Sequence, residues 1–316
     1  IDYISKTLKI FKKIIKKSSP DLVIVLGDRF EVFSFVQAAF FLKIKIAHIH
    51  GGEVTSGAFD DNIRHAITKF SDYHFATHKI YKKRLIQLGE NSNNIYLVGS
   101  PGVENFKKYK LIDKRKLFKE LSLNTEDKKI LITFHPETNS DLNYEKQIDI
   151  ILSSIKNLKK EQIIFTFNNS DPYGHKFLKK IKKYSISKKN IKIFSSLGSL
   201  KYLSLLKNVD LVMGNSSSGV IEAPAAQVPT LNIGTRQKGR VAYDSVTNCE
   251  LNSNKIQNII NKILYKKIKK KRYTVDNLNT SKLIYSKLNK ILYKNNFERK
   301  IFHDIKFEKK RYIYNC

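Results

Sequence analysis

Two stretches of this sequence concentrate side chains able to move protons or hold charge. The first reads His48-Ile49-His50-Gly51-Gly52-Glu53 and continues into Asp60-Asp61-Asn62-Ile63-Arg64-His65; five of the eight histidines lie between His48 and His78. Imidazole beside carboxylate suits proton transfer near neutral pH, so His50, Glu53 and Asp60 or Asp61 form a candidate acid/base set. A metal reading competes with it. In a strand His48 and His50 would face the same side, and two such histidines with a carboxylate are adequate for zinc or iron. Gly51 and Gly52 would let a ligand approach the backbone. Upstream, Gly27-Asp28-Arg29-Phe30-Glu31 puts Asp28 at the lip of a strand, as an acid/base group or as the N-cap of the helix that follows. We expect His65, His74 and His78 to pack or cap.

The second stretch is Gly214-Asn215-Ser216-Ser217-Ser218-Gly219-Val220-Ile221-Glu222, a small, hydroxyl-rich turn leading from strand to helix. Backbone N–H groups and the helix dipole at such a turn make a phosphate cradle, to which serines add donors. A plain N-cap accounts for one serine, not for three with two glycines. Glu222, one turn into the helix, is placed to accept from ribose hydroxyls. Arg236 and Arg240 suit oxyanions, and His135, in Phe134-His135-Pro136-Glu137-Thr138, is positioned to meet an anionic group. Arg29, Asn215 and Gly219 complete the substrate-contacting candidates.

Short apolar runs at 21–26, 44–49, 73–77 and 95–98 read as buried strands of a parallel sheet, with helical patterns at 31–42, 61–70 and 79–88 between them. After Gly102 the chain turns polar and Lys-rich to Lys129, as a segment joining two domains would. A second alternation then predicts strands at 130–134, 162–167, 191–194, 210–213 and 230–233, with helices near 143–160, 174–184, 199–208 and 218–226. The expected class is α/β, two doubly wound Rossmann-like domains in the GT-B type of arrangement with an interdomain cleft. The expected division is 1–105 (first βα unit missing), 106–275 for the nucleotide-binding domain, and 276–316 for a crossover helix at 280–292 and a basic tail.

At 316 residues and 41% hydrophobic content the chain is long enough to bury two cores. Its longest apolar stretch is broken by Gln37, Lys43 and Lys45, short of a bilayer span. The two cysteines, Cys249 and Cys316, are far apart, which argues against a disulfide framework and suits a reducing cytoplasm. The net charge of +31 comes mostly from scattered lysine pairs, a solvated-face pattern. The densest run, 266–272, could touch an anionic surface, but no nucleic-acid motif accompanies it.

Taken together, GDRFE at 27–31, HIHGGE at 48–53, DDNIRHAITKFSDYHF at 60–75, VGSPG at 98–102, HPET at 135–138, GNSSSGVIEAP at 214–224 and NIGTRQKGR at 232–240 closely resemble the hydrolysing UDP-N-acetylglucosamine 2-epimerases of sialic and legionaminic acid biosynthesis. The resemblance implies elimination of UDP to a glycal unsaturated between C1 and C2, then addition of water, giving UDP and the free 2-epimeric sugar. Carried over by position, Asp28 and Asp60 match the family's acid/base aspartates, His135 its histidine near the pyrophosphate, Ser216 and Ser217 its phosphate-binding serines, Glu222 its ribose-binding glutamate and Arg236 its GTR arginine. Where related enzymes place a catalytic glutamate this chain has His50, so the second acid/base role falls to His50 or to Glu53.

The family's opening βα unit has no counterpart, so a fragment of low solubility or activity is expected. The resemblance also implies a UDP-sugar as partner and a homo-oligomer, dimer or tetramer; no cofactor and no metal are expected, and from charge distribution and hydropathy no nucleic acid and no membrane. UDP-N-acetylglucosamine is the expected substrate, and UDP-2,4-diacetamido-2,4,6-trideoxyglucose the alternative. A metal-dependent hydrolase and a basic nucleic-acid-binding protein are the readings from other classes.

Overall fold

Parallel strands buried on both faces need apolar residues at consecutive positions, and the chain supplies such segments repeatedly. The computed structural model describes residues 2–58, 60–137, 140–167, 173–241, 243–266, 279–293 and 300–304. Thr138, most of the basic run at 266–272, Cys316 and most of the tail from 297 lie outside them. The chain divides into two units: Ile1–Glu53, Asn62–Gly99 and Asn279–Cys316 form the first, Val54–Asp61 and Ser100–Leu278 the second.

The first unit begins with α1 (Asp2–Ser18), β1 (Leu22–Leu26), α2 (Phe30–Phe41), β2 (Lys45–Ile49), α3 (Asp60–Phe70), β3 (Tyr73–Ala76), α4 (Lys79–Gln87) and β4 (Ile95–Leu97). Its strands pair in parallel in chain order, β1-β2-β3-β4. Helix α2 is apolar almost all round because it is covered twice, by the sheet and by α1. Leu8, Phe11 and Ile15 of α1 join Val36, Ala39, Val23 and Ile46 in one core, and the Phe11 and Phe35 rings meet edge to face at 5.1 Å. On β1, Val23 and Val25 are buried while Ile24 and Leu26 are exposed.

The second unit contains α5 (Pro101–Lys108), α6 (Lys114–Glu120), β5 (Lys129–Thr133), α7 (Tyr144–Ser154), β6 (Gln162–Thr166), α8 (Gly174–Ser185), β7 (Ile191–Phe194), α9 (Gly198–Asn208), β8 (Leu211–Gly214), α10 (Ser217–Ala225), β9 (Thr230–Ile233), β10 (Val246–Cys249) and α11 (Ser253–Tyr265). A last helix, α12 (Thr280–Tyr293), returns to the first unit, where Ile284 and Leu288 pack on Ala47, Ile49, Phe75 and Val98. The second sheet has the order β10-β9-β8-β5-β6-β7, all parallel. The order reverses between β5 and β8, and ligands of such sheets bind at the strands' carboxyl ends beside that reversal.

Two parallel α/β sheets are the class the βα alternation implied. The Lys-rich segment after Gly102 differs from its expectation as a joining segment: it folds into α5 and α6, and Leu117, Phe118, Leu121 and Leu123 lie in the core with Leu131, Leu205 and Val212. Leu117 and Phe118 of α6, with Leu121 and Leu123 just past its end, turn inward while the neighbouring lysines stay exposed, so lysine-rich composition masked an amphipathic segment. Strand β10 and α11 were also outside the expected elements; β10 carries Thr and Asn at its exposed positions, which gives it no apolar run to read.

Candidate active site

In the first unit the polar loops follow β1, β2 and β3, which are adjacent. After β1, the Asp28 carboxylate pairs with the guanidinium of Arg64, whose side chain is 2% exposed. The N-cap position of α2 falls on Arg29, which makes no side-chain cap bond, so Asp28 is an ion-pair partner and not a cap. Arg29 folds over Glu31 through two bonds, Nε to Oε2 at 3.1 Å and Nη2 to Oε1 at 3.2 Å. Burial raises the Glu31 pKa, but the Arg29 hydrogen bond, the backbone N–H of Glu31 and the Arg29 charge together outweigh it and the net shift is downward.

His48 is completely buried on β2 and holds this loop in place. Its Nε2 lies 2.9 Å from the Gly27 carbonyl, which can only accept, so the proton sits on Nε2. Nδ1 then accepts from the Thr68 hydroxyl at 3.3 Å. Burial, with the neighbouring His74 and His50, pushes its pKa down to about 3 against the Gly27 bond and the Glu53 charge, so the ring stays neutral. Both nitrogens are committed, which leaves His48 nothing to offer a metal. The expectation that His48 and His50 share a strand face also fails: β2 ends at Ile49, and His50 has left-handed φ +71°.

That backbone turn brings His50 Nδ1 to 2.6 Å from Glu53 Oε1, which also accepts from Thr77 Oγ1 at 2.9 Å. Glu53 is 1% exposed and His50 16%, so the imidazole is the outer member of the pair. Arg64 also donates to the Glu53 carbonyl at 3.1 Å, tying the loops after β1 and β2 to one guanidinium. The glycine pair serves packing. At Gly52 (φ +76°) a Cβ would come within 2.4 Å of the Tyr81 carbonyl, so that position meets α4 and not a ligand. His78 caps α4 by accepting from Ile80 N at 3.2 Å, and His74 is buried against Glu90.

Asp60 and Asp61 open α3. Asp61 accepts from Thr55 N at 2.6 Å and from its hydroxyl at 3.3 Å. Within the second unit, Ser56 donates to the Lys238 carbonyl from both N and Oγ, and Gly57 packs against the Arg236 backbone.

In the second unit, β5 and β8 register Thr133 opposite Gly214, so the loops carrying His135 and the serines emerge side by side. Asn215 is fully buried and clamps them: its Oδ1 accepts from His135 N at 2.7 Å and its Nδ2 donates to the His135 carbonyl at 2.9 Å. The Asn215 carbonyl accepts from Arg236 Nη1 at 3.1 Å and Gln237 Nε2 at 2.8 Å. Buried Glu137 fixes the loop after β9, accepting on Oε1 from the backbone of Thr235 and of Arg236, both at 2.8 Å. A Cβ at Gly234 (φ +81°) would overlap that carboxylate, so only glycine fits there. Ser216 caps α10 by accepting from Ser218 N at 3.4 Å, and Gly219 packs over Thr230. Ser217 is the first residue of α10, Glu222 rests against Gly102, and Arg240 donates from its backbone to the Gln237 carbonyl at 3.2 Å.

The first unit thus gathers Asp28, His50 and Glu53, and the second gathers His135, Asn215, the serines and Arg236. Arg64, Thr77 and Glu137 belong to these clusters, as does Tyr202, whose phenol lies 2.8 Å from Ser218 Oγ, and none of them was among the sequence candidates. Arg64 carried a signal: it lies on the stripe of α3 that buries Ile67 and Thr68, and a cation there requires a partner.

A family model described as UDP-N-acetylglucosamine 2-epimerase matches residues 1–289. The hydrolysing GDP/UDP-N,N'-diacetylbacillosamine 2-epimerase of Campylobacter jejuni is 40% identical over 74% of this chain and 61% of its own length. Polysialic acid biosynthesis protein P7 of Escherichia coli is 40% identical over 81% of this chain and 66% of its own length. The chain therefore spans less than two thirds of each of these relatives. The crystal structure of Methanocaldococcus jannaschii UDP-GlcNAc 2-epimerase in complex with UDP-GlcNAc and UDP superposes with TM-score 0.76 at 25% identity, covering 91% of this chain and 80% of that one. No helix among the described residues is long and apolar enough to cross a membrane. By fold, by motif loops and by the family match over most of its length, this chain belongs to the UDP-N-acetylglucosamine 2-epimerase family.

Proposed function

We propose that this chain is a hydrolysing 2-epimerase of a UDP-linked 2-acetamido sugar, with UDP-N-acetylglucosamine as substrate and UDP and free N-acetylmannosamine as products. The observation that carries this reading is the acid–base cluster of the first unit, Asp28 on Arg64 and His50 on Glu53. In the first step a base takes the C2 proton, the C2–H electron pair becomes the C1=C2 bond, and the C1–O bond breaks with its electrons leaving on UDP. Water then adds, its oxygen to C1 and a proton to C2 from the opposite face.

We assign proton transfer to Asp28 and to His50, with Asp60 at the mouth of α3 as a further acid/base group. Glu53, the buried member of its pair, orients His50 and offsets the charge that develops when the ring takes a proton. His135 and Ser216, Ser217, Ser218 and Gly219 at the start of α10 stabilise the departing diphosphate. Glu222 takes the ribose, Arg29, Arg236 and Arg240 meet oxyanions, and Asn215 acts by holding the His135 loop. The name of the Campylobacter relative favours a second substrate, the UDP-linked 2,4-diacetamido-trideoxy sugar.

The test is incubation of the protein with each UDP-sugar, following UDP and sugar stereochemistry by NMR. UDP with the manno-configured sugar from one of them is the expected outcome. Saturable UDP binding without UDP release from either substrate would sink the reaction assignment.

A further inference from the structure

A row of hydroxyls crosses the carboxyl edge of the six-stranded sheet. Thr166 Oγ1 and Thr133 Oγ1, on neighbouring strands β6 and β5, lie 2.5 Å apart. The Thr133 hydroxyl hydrogen-bonds the phenol of Tyr202 on α9, and Tyr202 Oη lies 2.8 Å from Ser218 Oγ. Ser218 is the second residue of α10, where backbone N–H groups and the helix dipole favour negative charge.

Each of these hydroxyls has one proton to donate. An oxyanion offers only acceptors, so Ser218 can meet one only by donating to it, and must then accept from Tyr202. Tyr202 in turn accepts from Thr133. Burial, with the charge of Glu222, pushes the Tyr202 phenol up to about 12 against the bonds to Ser218 and Thr133, so it remains a donor at every working pH. Glu222, whose charge bears on the phenol, is thereby placed near the row.

We propose that Tyr202 is a positioning residue for the diphosphate: its hydroxyl fixes the polarity of Ser218, so that the single Ser218 proton points at the bound anion and not back into the protein. This rests on the reading that the loop at 214–219 holds the diphosphate of UDP. It separates the row's function from that of the N-cap, since Ser216 already supplies the side-chain acceptor for the first turn.

The experiment is titration of the purified chain with UDP and with uridine, for the wild type, Tyr202→Phe, Ser218→Ala and the double variant. Tyr202→Phe is expected to weaken UDP about tenfold while leaving uridine affinity unchanged. Ser218→Ala should lose the same preference for UDP over uridine, and adding Tyr202→Phe to it should cost nothing more. Equal weakening of UDP and uridine would mean that Tyr202 merely supports the fold and would overturn the proposal, as would additive losses in the double variant or unaltered binding in Tyr202→Phe. A wild type without saturable UDP binding would remove the underlying reading and the proposal with it; normal wild-type binding with any of these overturning results removes the role of Tyr202 alone. Should Tyr202→Phe prove unstable, an unchanged UDP-to-uridine preference in Ser218→Ala is sufficient to overturn it.

Discussion

A carboxylate that transfers a proton must be held without being hidden, and the Asp28–Arg64 pair does this unevenly. Arg64 is almost completely buried, whereas the Asp28 side chain keeps 22% of its surface. The guanidinium also binds the Glu53 carbonyl, so it fixes the spacing between the two acid–base loops. Asp28→Asn should leave UDP affinity nearly unchanged and lower turnover by about 100-fold, measured as separate kcat and Kd values. Unchanged turnover would reduce Asp28 to a structural counterion of Arg64.

Among the elements, β2 carries the residue on which the Asp28 loop depends. His48 is neutral in the fold at a pKa pushed down to about 3, whereas an unfolded chain protonates it near 6.5. Below about pH 6.5 the unfolded state therefore binds more protons, and stability falls as pH drops from there towards 3. At pH 5 the contribution lost is about 2 kcal/mol. The urea midpoint of the wild type should decline between pH 7.5 and 5.0, and His48→Gln should start lower and decline less. Parallel declines in the two proteins would show that His48 is not the titrating group. The carboxylate Glu90, held down to about 2 by His74 and Lys300 against the cost of burial, loses its contribution only in more acid solution and does not enter this window.

At the scale of the whole chain, the segment at 300–304 ties the end of the described sequence to the first unit. Lys300 Nζ donates to the carbonyls of Thr68, Lys69 and Ser71 at 3.1, 2.9 and 2.6 Å and lies 2.7 Å from Glu90. A cation at the carbonyl end of α3 is favourable both to the helix dipole and to Glu90. Phe302 packs on Gly89, and His303 N donates to the Gly89 carbonyl at 3.0 Å. Lys300→Met should lower stability by about 2–3 kcal/mol, since it removes a donor from three carbonyls, of which that of Thr68 keeps the Ser71 N–H, and part of the compensation of a buried carboxylate charge. An unchanged unfolding midpoint would show that the anchor is replaceable.

The α/β class was legible in the sequence because strands buried on both faces must be written as continuous apolar runs, and most of those runs sit where the strands lie. The loops at their carboxyl ends were legible as well, because glycine, serine, histidine and carboxylate clusters there serve no core. The partners of those groups were not. Asp28 meets Arg64 from 36 residues away, Glu137 meets Thr235 across 98, and Tyr202 reaches Ser218 from another helix. Periodicity reports which face a residue shares with its near neighbours, whereas a hydrogen bond between distant segments depends on the order in which strands join the sheet. The left-handed turn at His50 likewise cancelled the alternation that made His48 and His50 look like a metal pair. Sequence fixes where polar groups gather, and the tertiary fold decides which of them are spent holding one another and which are left facing outward.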